Sequence, residues 1–403
     1  MTNSKEKHGE YIYYDDGKIT KIEWYTHGNF DCELDVTDGE HSYNHGDGHG
    51  FYFGREIWQK YTLKDGKPEG EWVLYHSNSQ MSVYRKYENG SKEGTWKSWH
   101  DDGSQWDEQT YVNNKMDGKS KRWRYDEVPE YIGQYQDNNK VGKWIYYYDN
   151  GNKEYQGTYE NGKRVGKWFK FDEDTGKKSG KLNYVNGKLT GEYIEYNEDG
   201  LVILSGQYKN GKKEGKHIYT GDNEKKRKEE IYIDGKLNGV FKEWHPNSNL
   251  WFEFQYKDEV KQGFCKSFHF NGERSADENW NNGKKDGKFD YYHDNGIRKI
   301  KSTYFSNKLN GKYIEWYKNG NLKKEIGYKK DILDGNYIEY HVSDQQRGKG
   351  IMKNDEMNGK WTFWYHNGQK ECEVICKNGK LIDGKVWDDN GNEKKSTRFN
   401  YQR

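Results

Sequence analysis

The chain has 403 residues, of which 31% are hydrophobic, 17% aromatic and 33% charged. Aromatics therefore exceed half of the hydrophobic share, which excludes a string of ordinary globular domains with Leu, Ile and Val cores. With 67 Lys and Arg against 66 Asp and Glu the formal charge is +1, which excludes a global field for nucleic acid or an anionic membrane.

Low aliphatic content with high charge is ordinarily the signature of disorder, because too little apolar area is buried to offset chain entropy. The 36 Tyr, 16 Trp and 15 Phe reverse that reading, since each buries a large face while keeping a polar edge wet. The 47 Gly and 3 Pro imply many tight turns and few extended linkers. No stretch at the start resembles a signal peptide, nowhere do eighteen apolar residues follow one another, and a soluble cytoplasmic protein is expected. Cys32, Cys265, Cys372 and Cys376 are too scattered for a disulfide scaffold, so reduced thiols are expected.

Taken in chain order, residues 1–69 hold two irregular copies of a repeat, anchored at Gly9 and Gly39. A regular array spans residues 70–391, with an anchor glycine at Gly70, Gly94, Gly118, Gly142, Gly166, Gly191 and onward to Gly384; eleven of its thirteen steps are 24 residues and two are 25. A basic tail, 392–403, closes the chain. Counting from the anchor, the second position is usually aromatic (Trp72, Trp96, Trp144, Trp168, Trp361), and so is the fifth (Trp99, Trp123, Trp244, Trp316, Trp364). Positions eight and nine carry turn pairs such as Asn150-Gly151 and Asn295-Gly296, and a second run ends in Tyr at position seventeen before another turn such as Asn161-Gly162. Asn-Gly between two aromatic runs signals a type I′ hairpin turn, where both central residues need positive φ.

Each copy thus reads as strand, turn, strand, turn. The expected fold is all-β: an elongated, single-layer antiparallel meander of about sixteen tandem hairpins of about 24 residues, each copy stabilised by stacking on its neighbours. Strict alternation places positions two and five on opposite faces, so either both faces carry aromatics or a bulge lies between the two positions. The sequence leaves open which set is exposed.

The stretches GKWIYYYDNGNKEYQGTYENGKRVGKW (Gly142 to Trp168) and GKYIEWYKNGNLKKEIGYKKD (Gly311 to Asp331) resemble the variant form of the MORN repeat, and the resemblance runs from about Gly9 to about Gly391. It implies an extended hairpin meander. Bacterial proteins built from this variant are commonly antitoxin or immunity components, and other MORN proteins serve as scaffolds or lipid-associated modules. No functional residue transfers by motif.

No catalytic residues, no cofactor and no enzymatic activity are expected. The densest set of metal-ligand types is His41, His45, Asp47 and His49, in a glycine-rich stretch that a solvated loop explains without a metal. His76, His100, His245, His269, His293 and His341 all fall at position six, the mark of a strand-end packing element. Parity puts Cys372 and Cys376 on one face of a strand, too far apart to pair. The expected function is a non-enzymatic protein-binding scaffold, most concretely an antitoxin or immunity-type protein covering a toxin, with Trp72, Trp96, Trp99, Trp144, Trp168, Trp244, Trp316, Trp361 and Trp364 as contact candidates. The alternatives are a glycan or cell-wall binding aromatic repeat and a membrane-associated scaffold; nucleic acid is not an expected partner.

Overall fold

The computed structural model describes residues 9–15, 18–26, 29–34, 39–44, 58–76, 78, 80–221 and 223–394, and for most strand residues before Lys60 it describes the backbone alone. Every regular element among them is a β-strand, and no helix there is long and apolar enough to cross a membrane. The residues fall into two compact units, one of Met1–Leu201 with Lys209–Gly211, the other of Val202–Tyr208 with Lys212–Arg403.

In the first unit, strands Gly9–Asp15, Lys18–Thr26 and Asn29–Leu34 make a small antiparallel sheet. From Gly39–Asn44 to Gly191–Tyr196 the successive strands form an antiparallel meander. The second unit holds a meander of the same kind, from Lys212–Thr220 to Glu393–Lys394.

The two turns of each copy differ. At the second turn both central residues have positive φ, as at Asn161 (47°) and Gly162 (75°), which is the type I′ geometry the sequence suggests. At the first turn Gly151 is left-handed (85°) and Asn150 is not among the positive-φ residues. There the Tyr148 amide bonds to the Asn152 carbonyl and the Gly151 amide to the Tyr148 carbonyl, a wider loop than the type I′ turn expected from Asn-Gly. The asparagine earns its place through its side chain: Asn150 Oδ1 accepts from the Asn152 amide, and its Nδ2 donates to the Glu173 carbonyl of the next copy.

The anchor glycines sit at bulges. Ile132 pairs with Ile145 and Gln134 with Val141, so the stretch around Gly142 is overlong against its partner, and Gly142 takes a φ of 63° that an L side chain resists. A second slip falls further along: Tyr146 pairs with Tyr155 but Tyr147 with Lys153, which leaves Glu154, at position twelve, bulged out. Neither bulge flips position five onto the face of position two, so both faces carry aromatics.

One face holds the core. Trp144 and Trp168 are 0% exposed, and Trp72 and Trp361 are also buried. Each of these rings meets the strand before it. Position fifteen of the preceding copy is Gly133 beneath Trp144, Gly157 beneath Trp168 and Gly350 beneath Trp361, where an added Cβ would come within 2.1–2.2 Å of the indole. Tyr131, Tyr135 and Tyr159 surround Trp144 at 5.3–5.7 Å between ring centres. From position twenty-two, Lys140 lies 4.2 Å over Trp144, Arg164 4.3 Å over Trp168 and Lys92 4.5 Å over Trp96. The Trp144 indole donates to the Gln134 and Val141 carbonyls, Trp168 to Thr158 and Trp361 to Ile351, so burial leaves these N–H groups satisfied. In two copies a larger position fifteen goes with a smaller position two: Gln109 pairs with buried Ser120, and Phe254 precedes buried Cys265 by the same eleven-residue step. Elsewhere a long side chain lies alongside the ring, as Glu278 pairs with Phe289 and Arg85 lies over Trp96.

Gly157→Ala is expected to destabilise the first unit by about 1–3 kcal/mol through overpacking against Trp168, read as faster hydrogen exchange in Lys163–Phe171, whereas Thr158→Ala, on the opposite face, should stay within about 0.5 kcal/mol.

Candidate binding face

The face opposite the core carries positions one, three, five, fourteen and sixteen. Its aromatic row consists of half-buried rings, among them Trp99, Trp123 and Tyr147 in the first unit and Trp244, Trp316, Tyr340 and Trp364 in the second, with Phe171 fully buried. Beside the row run ion-pair rungs. Glu108 lies 3.8 Å from Lys97 and 3.7 Å from Lys121; Lys242 pairs with Glu253 at 3.3 Å, Lys312 with Glu325 at 2.6 Å and Lys360 with Glu373 at 2.5 Å. Burial works against the charge on Glu229, yet Lys216 and Lys226 hold its carboxyl below the usual range. Such exposed pairs add little stability each; they fix where charge stands around the rings. In the first unit Met81, Tyr84, Lys86, Thr95, Lys97 and Trp99 line a shallow open groove, with Tyr84 Oη donating to Glu71 at 2.9 Å.

The nine tryptophans singled out from sequence thus divide. Trp72, Trp144, Trp168 and Trp361 are sealed within the core and present no ring to a partner; Trp96 belongs to the same face, half-buried under Lys92, its indole donating to the Lys86 carbonyl at 3.1 Å. Trp99, Trp244, Trp316 and Trp364 stand on the opposite, open face.

Sequence reading missed a third set. The residue bulged out at position twelve is Trp106 in one unit and Trp251 in the other, with Tyr125 and Phe270 at position seven of the following copies. Trp106 is 41% and Tyr125 62% exposed, and His100 stacks on Tyr125 at 3.8 Å; His245 stacks on Trp251 at 5.0 Å and meets Phe270 at 5.4 Å. An aromatic at position twelve, where most other copies carry Ser, Glu, Lys or Arg and one carries Ile203, was the available signal.

Five of the six position-six histidines act as staples between copies; His100 instead stacks on Tyr125, with its Nε2 buried and without a hydrogen-bond partner among the described residues. His76 Nε2 bonds to the Trp99 carbonyl at 2.9 Å, His269 to Tyr292 at 3.0 Å, and His293 to Trp316 and His341 to Trp364 at 3.1 Å. Tyr148, Tyr317 and Arg124 at the same position reach the equivalent carbonyls through Oη or the guanidinium. The staple orients the backbone that carries the position-five ring.

Three thiols, Cys265, Cys372 and Cys376, are buried and unpaired; burial pushes Cys372 up to about 11, away from the reactive thiolate. No group of three or more His, Cys, Asp or Glu among the described residues is placed to hold a metal ion. His45, Asp47 and His49 lie outside the described residues, and of His41 only the backbone, in Gly39–Asn44, is described.

His217 occupies position two and is 0% exposed, over Gly206 and between the edges of Tyr208 and Tyr232. Neither ring nitrogen has a hydrogen-bond partner in good geometry, and burial, helped by the Lys213 ammonium, lowers its pKa against weaker pulls from the Gly215 backbone and Glu230.

Four stretches, residues 140–161, 237–258, 309–330 and 357–378, match the MORN repeat variant, each in the same phase, from position twenty-two of one copy to position nineteen of the next. MORN repeats are therefore present in this chain, and such repeats are typically protein- or membrane-binding. No curated protein matches the sequence. Among solved structures the chain is similar to one in the crystal structure of TcdB2-TccC3, at 9% identity over 83% of this chain and 24% of that one, with a TM-score of 0.13, too slight a likeness to argue from.

His293→Ala, which leaves the Trp316 carbonyl without its donor, is expected to cost about 1 kcal/mol, seen as faster exchange around that strand. Because the folded His217 resists protonation, the unfolded chain takes up its proton first as pH falls below about 6.5. The stability this residue confers is complete above that pH and is lost as pH drops toward the folded value. His217→Phe should flatten that part of the pH–stability curve of the second unit, measured by chemical denaturation between pH 7.5 and about 5.

Proposed function

We propose that this chain is a non-enzymatic, protein-binding repeat scaffold whose working surface is the face of the position-five rings. The supporting observation is the division of the aromatics: the position-two rings are consumed by the core, while Trp99, Trp244, Trp316 and Trp364 stay half-open among ordered charges. Large rings in a frame of charged side chains are the composition of interface hot spots, where a few Trp and Tyr supply most of the affinity and the surrounding polar groups set register. The presence of MORN repeats supports the same general reading.

The finer reading is an antitoxin or immunity-type protein, its partner a toxin that the face covers. The resemblance of the repeats to the bacterial MORN variant supports that choice, and a repeated face of rings and charges in each unit suits it. Binding should be sought first among the products of genes adjacent to its own.

By calorimetry with such a partner, Trp99→Ala combined with Trp316→Ala should weaken binding by about 2 kcal/mol or more, whereas Trp106→Ala, on the strand-end cluster, should leave it unchanged. Equal affinity for all three proteins, or no complex with any adjacent product, would count against the proposal.

A further inference from the structure

The position-five face of the first unit has a strip that differs from the rest of the molecule. At position one of three consecutive copies stand Lys119, Lys143 and Lys167, all exposed, none with an ion-pair partner among the described residues. Their cross-strand neighbours are Gln134, Thr158 and Asn183, which are neutral. No carboxylate occupies position one or sixteen between Glu71 and Glu192. Beyond its near end Lys86 lines the groove beside Trp99, but it stands opposite Glu71 and Glu93 and is not one of the uncompensated lysines. Elsewhere on this face lysines at position one are mostly paired, as Lys312 is with Glu325 and Lys360 with Glu373; Lys288, opposite Thr303, is a single unpaired one and not part of a run. A chain with a net charge of +1 thus concentrates uncompensated positive charge in one line.

Successive copies are two strands apart, so the three ammonium groups stand about 10 Å from one another. That spacing is close to the Debye length at about 0.1 M salt, so each lysine acts nearly as a separate point charge. We propose that this strip receives an acidic protein surface whose carboxylates recur at about 10 Å, the repeat of one residue in seven along a helix, with the groove at Trp99 taking an apolar side chain at its end. The proposal rests on the reading of this face as the protein-binding surface and adds the chemistry of the partner.

Two features favour a protein over a polyanion. The strip contains lysine and no arginine, and a compact ammonium suits single carboxylates, whereas phosphate recognition favours the bidentate guanidinium. Glu71 and Glu192 bound the strip, and Glu108 stands two positions from it, so a continuous phosphate chain would run against fixed negative charge while discrete carboxylates would not. Three lysines also fall below the roughly 4–8 that mark anionic-lipid sites.

The test compares the full chain with a variant carrying Lys119→Glu, Lys143→Glu and Lys167→Glu, and with a control of equal charge change, Lys257→Glu, Lys329→Glu and Lys353→Glu, at exposed second-turn positions. The probes are poly-L-glutamate, a thirty-residue oligo-dT, and phosphatidylcholine vesicles containing phosphatidylserine, at low ionic strength. The inference requires poly-L-glutamate to bind the unaltered chain most tightly of the three, and the strip variant to lose about tenfold or more in affinity relative to the control. It is overturned if poly-L-glutamate fails to bind, if strip and control variants lose equally, or if oligo-dT or vesicles bind more tightly through the same lysines. Should the strip variant keep the adjacent-gene partner while Trp99→Ala with Trp316→Ala loses it, the inference on partner charge falls and the protein-binding reading stands.

Discussion

A single-layer antiparallel meander has no second layer against which to bury a core, and the meander of each unit meets that constraint with one recurring contact. The ring at position two lies on the strand before it, against the residue at position fifteen, which is glycine where the ring is most tightly sealed, and beneath a long side chain from position twenty-two. Gly133, Trp144 and Lys140 form one such stack, and Gly157, Trp168 and Arg164 another. In other copies Leu or Met takes the place of the covering cation, as Leu333 and Met357 do around Tyr337 and Trp361. The three parts come from successive strands that span two copies, so no copy is stable alone and the repeats hold one another in order.

Edge hydrogen bonds then keep the copies in register. Position-six side chains reach the carbonyl of position five in the next copy, and turn asparagines such as Asn271 and Asn295 reach the next turn. Because these bonds use side chains at the strand ends, the position-five face carries little structural duty beyond its ion-pair rungs and a few buried residues such as Phe171 and Val73. One face closes the structure, and the other carries most of the variation in charge between copies. A surface that differs between units, as the lysine strip does from the neutralised rungs, is what such a division permits.

Much of this was legible in the sequence. The period, the hairpins and the dependence on aromatic stacking follow from residue chemistry at fixed steps. The division of the faces was not, because positions two and five are equally aromatic and alternation alone assigns them to opposite sides without saying which is covered. The deciding residues were visible but unmarked: a glycine eleven residues before Trp144, Trp168 and Trp361, and Lys or Arg four before Trp96, Trp144 and Trp168. Asn-Gly suggested one turn type for both connections, yet at the first turn the asparagine serves through its side chain. Trp106 and Trp251 escaped notice because a bulge, which no pattern announces, is what turns them outward.

The account stands on position-two rings being closed to solvent and position-five rings being open. Limited oxidation of the native chain with N-bromosuccinimide, with each tryptophan quantified by mass spectrometry, tests this directly. Trp106 and Trp251 should react first, Trp99, Trp244 and Trp316 next, and Trp72, Trp144, Trp168 and Trp361 only after unfolding. Oxidation of Trp144 and Trp168 at the rate of Trp99 and Trp316 would contradict it.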